Sequence, residues 1–211
     1  EQRIQLEKIK NDQLQTELKF LKSQYHPHFL FNALNTVYFQ IDESNKAPRR
    51  TLEMISELLR YQLYGGNQKV SILQEIDYLK TYIALRKLRM SERLRLRVEF
   101  PPELNELNIY PLLFLPLVEN AFKYVGGDYQ LDIIMKWENN RISLFIRNSI
   151  PELSAEDEAL RKSVDERQRK GIGLVNLRRR LSLLYPNKHR LETRKEETEF
   201  VAELMIEIED I

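Results

Sequence analysis

Met90-Ser91-Glu92-Arg93-Leu94-Arg95-Leu96-Arg97-Val98-Glu99-Phe100-Pro101-Pro102 is where the chain changes character. Leu94, Leu96, Val98 and Phe100 alternate with charged residues at a period of two, the pattern of a strand with one buried face. Pro101-Pro102 closes it, because proline lacks the N–H that a ladder uses. Residues before this stretch read as helix, and residues after it mix helix and strand. The expected class is therefore α plus α/β, with one domain over residues 1–92 and a second over 93–211.

Working back toward the N-terminus, residues 4–41 carry helical patterning with Pro27 as the lone proline and no glycine. Leu14, Leu18, Leu21 and Tyr25 follow 4-3-4 spacing, the seam of a helix that pairs with another. A second amphipathic stretch covers 48–64, with Leu52, Ile55, Leu58, Leu59 and Leu63 on one face, and Gly65-Gly66-Asn67 ends it. Ser71-Ile72-Leu73-Gln74 fits a capping box that opens a third helix reaching about Met90.

Working forward, residues 111–125 read as helix and 129–137 and 141–147 as strands. The charged stretch 152–170 suggests a loop or lid. Residues 174–185 read as helix, then 189–195 and 199–208 as strands. Helices on a mixed or antiparallel sheet are the architecture that this order implies.

Composition sets outer bounds. The chain has 211 residues, enough for two small cores, with 42% apolar and 31% charged residues. A net charge of +1 gives no general attraction to nucleic acid, so no direct nucleic-acid partner is expected. The absence of cysteine excludes disulfides and thiolate metal sites. No apolar run approaches the roughly 18 residues of a membrane span. The sequence opens at Glu1 in helix-like residues, and the expectation is a fragment of a longer protein.

Of three histidines, two lie in Gln24-Tyr25-His26-Pro27-His28-Phe29-Leu30-Phe31-Asn32. At about 100° per residue, His28, Asn32 and Asn35 share a narrow arc opposite Leu30, Leu34, Val37 and Ile41. His28 thus sits on a polar stripe, where a neutral imidazole can act as a nucleophile and Asn32 can orient it. Phe29 and Phe31 flank the stripe and can form a docking surface. Pro27 favours a kink beside it. Alone, this segment also fits an ordinary kinked surface helix. A metal site at His26 and His28 lacks a carboxylate at ligand spacing. His189 reads as a surface residue.

In Leu117-Val118-Glu119-Asn120-Ala121-Phe122-Lys123-Tyr124, Glu119 and Lys123 share a helix face. An amide such as Asn120 can ligate Mg²⁺, and Lys123 can meet a phosphate. A plain surface Glu–Lys pair fits as well. Gly171-Ile172-Gly173-Leu174 opens a helix, a setting that suits anions. Arg178-Arg179-Arg180 reads as a solvated face.

Taken in order, Gln-x-x-Pro-His-Phe-Leu-Phe-Asn, Leu-Val-Glu-Asn-Ala and Gly-Ile-Gly-Leu-x-Asn resemble the sensor histidine kinases that work with LytTR-type response regulators. The likeness spans Gln24 to about Leu181, with Leu59-Arg60-Tyr61 and Tyr82-Ile83 to Arg86 also in place. It implies a helical dimerisation and phosphotransfer domain followed by a Bergerat-type ATP-binding α/β sandwich, a mixed sheet with helices on one face. By the resemblance His28 is the phosphoacceptor, with Asn32 and Glu119 in catalytic positions. Glu119, Asn120 and Lys123 form the N-box, with Asn120 on Mg²⁺. Gly171, Gly173 and Leu174 form the glycine box at the triphosphate. Asn148 stands where the family's adenine-binding Asp lies, in Ile146-Arg147-Asn148-Ser149-Ile150-Pro151, which also lacks that box's glycines. ATP and Mg²⁺ are the implied cofactors, and a second copy and a response regulator the implied partners. The family is typically anchored through N-terminal membrane helices, leaving this part in the cytoplasm. Two rivals stay open: a superfamily ATPase in which Glu119 activates water, and a pseudokinase scaffold suggested by Asn148.

Overall fold

The computed structural model describes residues 27–64, 68–102, 104, 107–151 and 172–208. Expectations on the Leu14–Tyr25 seam, His26, Gly171 and the 152–170 loop lie outside these. By packing, the chain forms two compact units that divide between Ser56 and Glu57.

The first unit contains α1 (Pro27–Gln40) and the start of α2 (Lys46–Tyr64). Asp42 turns the chain between them by accepting from the Ser44 N–H at 2.8 Å. Hydrogen bonds from Ser44 hold the Asp42 carboxyl below the usual carboxylate range. Arg49 fastens the pair: it donates to the Ile41 carbonyl at 2.9 Å and lies 4.8 Å from the Tyr38 ring centre. The Tyr38 hydroxyl donates to Glu53 at 3.2 Å. Leu30, Leu34 and Ile41 are half-buried as expected, whereas Val37 remains 46% exposed.

In the second unit, α3 (Ile72–Lys87) begins with the expected capping box. The Leu73 N–H donates to Ser71 Oγ and the Ser71 N–H to Gln74 Oε1, both at 3.2 Å. Two short strands, β1 (Val70–Ser71) and β3 (Asn108–Ile109), pair antiparallel at the start of this helix. The sequence does not announce them, because two residues show no period. Helix α3 buries Ile72, Ile76, Leu79 and Ile83 in the same core as the sheet. The packing division therefore precedes the change from helix to strand at residue 93.

The main sheet has the order β2-β4-β5-β7-β6, from β2 (Arg95–Glu99), β4 (Gln130–Glu138), β5 (Arg141–Ser149), β6 (His189–Lys195) and β7 (Glu199–Glu207). Strands β2 and β4 run parallel and the other neighbours antiparallel, so the sheet is mixed. Asn139 and Asn140, with φ of 51° and 57°, make the two-residue turn of the β4–β5 hairpin, a left-handed backbone that Asn tolerates. One face is apolar: Leu131, Ile133, Ile142, Leu144, Ile146, Leu204 and Ile206 are almost fully buried. Helices α4 (Leu115–Tyr124) and α5 (Ile172–Leu184) cover it, so the expected helices on one face of a mixed sheet are present. The opposite face carries ion pairs, among them Arg147–Asp132 at 2.6 Å.

Helix α4 starts four residues later than expected. Leu112 takes a left-handed backbone, with φ of 58°, which breaks any helix through it. Once started, α4 buries Leu117, Val118, Ala121 and Phe122. Burying each of the larger three contributes about 2 kcal/mol and fixes which face the helix shows to solvent. Glu119, Asn120 and Lys123 are left on the other side.

Candidate functional site

His28 stands exposed on α1, as the arc of polar residues predicted. Its Nδ1 is 3.1 Å from Asn32 Nδ2, one helical turn on. A carboxamide presents an acceptor and a donor that exchange by rotation, so Asn32 can hold either tautomer of the ring. When the amide oxygen accepts from Nδ1–H, the lone pair sits on Nε2, the outer nitrogen. Asn32 is itself steadied from the next turn, where Thr36 Oγ1 donates to its carbonyl at 2.8 Å. Phe29 is 74% exposed beside the histidine, while Phe31 is half-buried.

Asn32→Ala removes this partner without touching the core. If His28 accepts a phosphoryl group, the expected result is a drop of about tenfold in its phosphorylation, the worth of roughly one hydrogen bond, with an unchanged melting temperature. Asn32→Asp keeps the acceptor and should retain most of the rate. Initial rates of label incorporation measure both.

The second group of residues lies on α4 and β5. Asn120 is half-exposed and Lys123 exposed, with Lys123 Nζ 5.0 Å from the Tyr124 ring centre. Glu119 is turned toward α3, where its charge is felt by Tyr78 and Tyr82. Partial burial pushes the Glu119 carboxyl above its ordinary value, and Arg86 pulls it back. Arg86 is also 5.7 Å from the Phe122 ring centre.

Asn148 ends the apolar face of β5 and is fully buried. Its Nδ2 donates to the Ser149 carbonyl at 3.3 Å, and its Oδ1 has no hydrogen-bond partner. A buried acceptor left unpaired costs about 1–3 kcal/mol. That free acceptor suits a donor such as the exocyclic amino group of adenine, so the residues present fit a nucleotide. No cluster of His, Cys, Asp or Glu suited to a metal occurs among the described residues. Mg²⁺ bound by one amide and the nucleotide's own phosphates needs none.

A staple that the sequence motifs do not include ties Asn148 to α4. Ser149 Oγ donates to the Gly126 carbonyl at 2.6 Å and accepts from the Gln130 N–H at 2.9 Å. The Gly126 N–H returns a bond to the Ser149 carbonyl at 3.0 Å. A Cβ on Gly126 would lie 2.8 Å from Pro151 Cδ, so only glycine fits without a shift. The signal that could have found it is Gly126-Gly127, immediately after Lys123-Tyr124-Val125. Gly126→Ala should cost about 1–3 kcal/mol, read as a fall in thermal midpoint.

Gly173 is exposed in the first turn of α5 with open space around it, and Leu174 is half-buried against the core. The three arginines are not simply a solvated face. Arg178 donates to the Leu191 carbonyl at 3.0 Å, and Arg180 to the Pro111 carbonyl at 2.7 Å. His189 is half-buried, with Nδ1 2.7 Å from the Tyr185 carbonyl.

The second unit is thus a mixed sheet covered on one face by helices, with an amide and an amine on one helix and an unpaired acceptor at a strand end. The same chain carries a helical segment with an exposed histidine. Residues 16–94 match the family described as Histidine kinase. The sensor protein kinase HptS of Staphylococcus aureus (strain USA300) is 29% identical over 180 residues, covering 83% of this chain and 35% of that protein. The chain thus spans about a third of the length of that relative. Among solved structures, the histidine kinase domain of the Erythrobacter litoralis EL346 blue-light activated histidine kinase aligns with a TM-score of 0.48 at 14% identity, covering 83% of this chain and 93% of that one. The catalytic domain of histidine kinase ThkA aligns with a TM-score of 0.43 at 17% identity, over 66% and 94%. Over these spans the chain is similar to sensor histidine kinases.

Proposed function

We propose that this chain is the catalytic core of a two-component system: it uses Mg·ATP to phosphorylate His28 and passes the phosphoryl group to an aspartate of a response regulator of LytTR type. The observation that carries this reading is His28 itself, exposed on α1 and held through Nδ1 by Asn32. Residues 1–92 are the dimerisation and phosphotransfer region, and 93–211 the ATP-binding region. The working unit is a homodimer, anchored to a membrane through sequence outside this chain, with the core in the cytoplasm.

In the reaction, His28 Nε2 attacks the γ-phosphorus in line, the bond to the β–γ bridging oxygen breaks, and ADP leaves. Catalysis of this kind comes chiefly from positioning and charge neutralisation. Mg²⁺ neutralises the phosphates when bound. Asn120 would hold that ion, Lys123 a phosphate oxygen, and Gly173 and Leu174 in the first turn of α5, with Gly171 just before them in sequence, the triphosphate. Asn148 would accept from the adenine amino group. Glu119, whose carboxyl partial burial holds above its ordinary value, is the group on α4 that would orient or deprotonate.

Incubation with γ-labelled ATP tests the reading. Acid-labile label on the protein supports a kinase. Phosphate release without label would favour an ATPase, and neither would favour a scaffold.

A further inference from the structure

Glu75 is fully buried, yet none of the chemistry above uses it. It lies on α3, and its Oε2 accepts from two donors: the Tyr61 hydroxyl at 2.7 Å and the Leu112 N–H at 2.9 Å. Leu112 precedes α4, the helix that carries Asn120 and Lys123. The first turn of a helix has N–H groups without intrahelical partners, usually met by a Ser, Thr, Asp or Asn side chain at the N-cap. Here the N-cap is Phe114, which has no such side chain and makes no capping bond. Burial pushes the Glu75 carboxyl above its ordinary value, and the Leu112 amide, the Tyr61 hydroxyl and the Phe114 amide oppose that rise, although Oε1 makes no hydrogen bond of good geometry. Glu75 therefore fixes the turn that leads into α4 from another helix, by accepting from the Leu112 N–H two residues ahead of the N-cap.

The rest of this turn is gripped as closely. Arg180 on α5 donates to the Pro111 carbonyl, and its charge faces Glu75. The Tyr110 N–H donates to Tyr185 Oη at 3.3 Å. Three side chains thus hold three consecutive residues by their peptide groups, and the last of the three is the left-handed Leu112. A non-glycine residue stays in that conformation only when its surroundings over-determine it. A plain core position would be served by an apolar residue without the cost of desolvating a carboxyl.

We infer that Glu75, held by Tyr61, is a positioning residue that sets where α4 begins and so where Asn120 and Lys123 meet Mg·ATP. This rests on the reading of those two residues as the Mg·phosphate end of the site. Adenine recognition is assigned to Asn148 on β5, so it should be insensitive to Glu75. That separation gives a readout that general damage would not reproduce.

The test compares wild type with Glu75→Gln and Tyr61→Phe, each checked for folding by thermal melting. Binding of Mg·ATP and of adenosine is followed by NMR titration, and phosphorylation by label incorporation. Glu75→Gln keeps an acceptor for Leu112 but replaces the ionisable carboxyl with a neutral amide. The expected result is a loss on the order of 10- to 100-fold in phosphorylation rate, with weaker Mg·ATP binding and unchanged adenosine binding. Tyr61→Phe should shift the same quantities in the same direction by less. Unchanged phosphorylation and Mg·ATP binding in both folded variants would overturn the inference. So would equal losses for Mg·ATP and adenosine, which mark a purely structural role. If Glu75→Gln melts early, Tyr61→Phe decides alone. Wild type that binds adenosine but shows no gain from the Mg·triphosphate refutes the N-box reading, and the inference with it.

Discussion

His28→Ala is expected to lose all acid-labile label from γ-labelled ATP, while the protein melts at the same temperature as wild type. The first half comes from chemistry, because alanine has no nucleophile and the attack has no substitute on that stripe. The second comes from exposure: His28 stands in solvent, and surface changes away from special features usually stay within about 0.5 kcal/mol. Among the described residues the other histidine is a poor rival. His189 has one ring nitrogen against the Tyr185 carbonyl and serves the turn into β6. His26→Ala is the needed companion, since it stands two residues away in the same motif. Label that survives in His28→Ala and vanishes in His26→Ala would move the acceptor to His26. Label that survives in both would place it elsewhere.

This histidine is legible in the sequence and Glu75 is not, because a sequence displays local causes and hides distant ones. The stripe of His28, Asn32 and Asn35 needs only helix geometry, and their exposure on α1 agrees with it. The same is true of the strand at Leu94–Phe100 and the capping box at Ser71, which are local patterns with local causes. Helix α4 begins late because Leu112 turns left-handed, and nothing in Pro111-Leu112-Leu113-Phe114 announces that. Its cause lies far off in the chain, in Glu75 on α3 and Arg180 on α5. Strands β1 and β3 are hidden for a related reason, since each exists only because the other is beside it. Arg178-Arg179-Arg180 reads as a solvated run in sequence, yet Arg178 and Arg180 are spent on backbone carbonyls that only the fold brings near. Asn148 is an intermediate case. Its place at the end of an alternating strand marks it as inward-facing. That its oxygen is left unpaired could only come from the structure.

Replacing Asn148 should produce opposite trends in stability and in nucleotide affinity. Asn148→Leu keeps the same branched shape at a larger volume and removes a buried acceptor that has no partner. The gain from removing the unpaired acceptor offsets the cost of the added volume, so the nucleotide-free protein should be about as stable as wild type. ATP affinity should nevertheless fall on the order of 10- to 100-fold, because the adenine amino group is then buried without an acceptor. Preference for ATP over GTP should fall with it. Asn148→Asp runs the other way. A carboxyl in this fully buried position has its pKa raised above the unfolded value of about 3.9, since desolvation opposes the charge. Stability is then intact below that unfolded value and declines as the pH rises through the folded one, so the empty variant is the least stable of the three at neutral pH. Yet a carboxylate accepts from the adenine amino group with charge assistance, which asparagine lacks, and bound ATP offsets part of the desolvation. Without nucleotide, Leu and Asn should be about equally stable and Asp the least, whereas the order of ATP affinity should be Asp, Asn, Leu. Thermal melts with and without ATP measure both orders in one experiment, through the rise in midpoint that binding confers. A buried asparagine with a purely structural role gives no such inversion: Asn148→Leu would then bind ATP as wild type does.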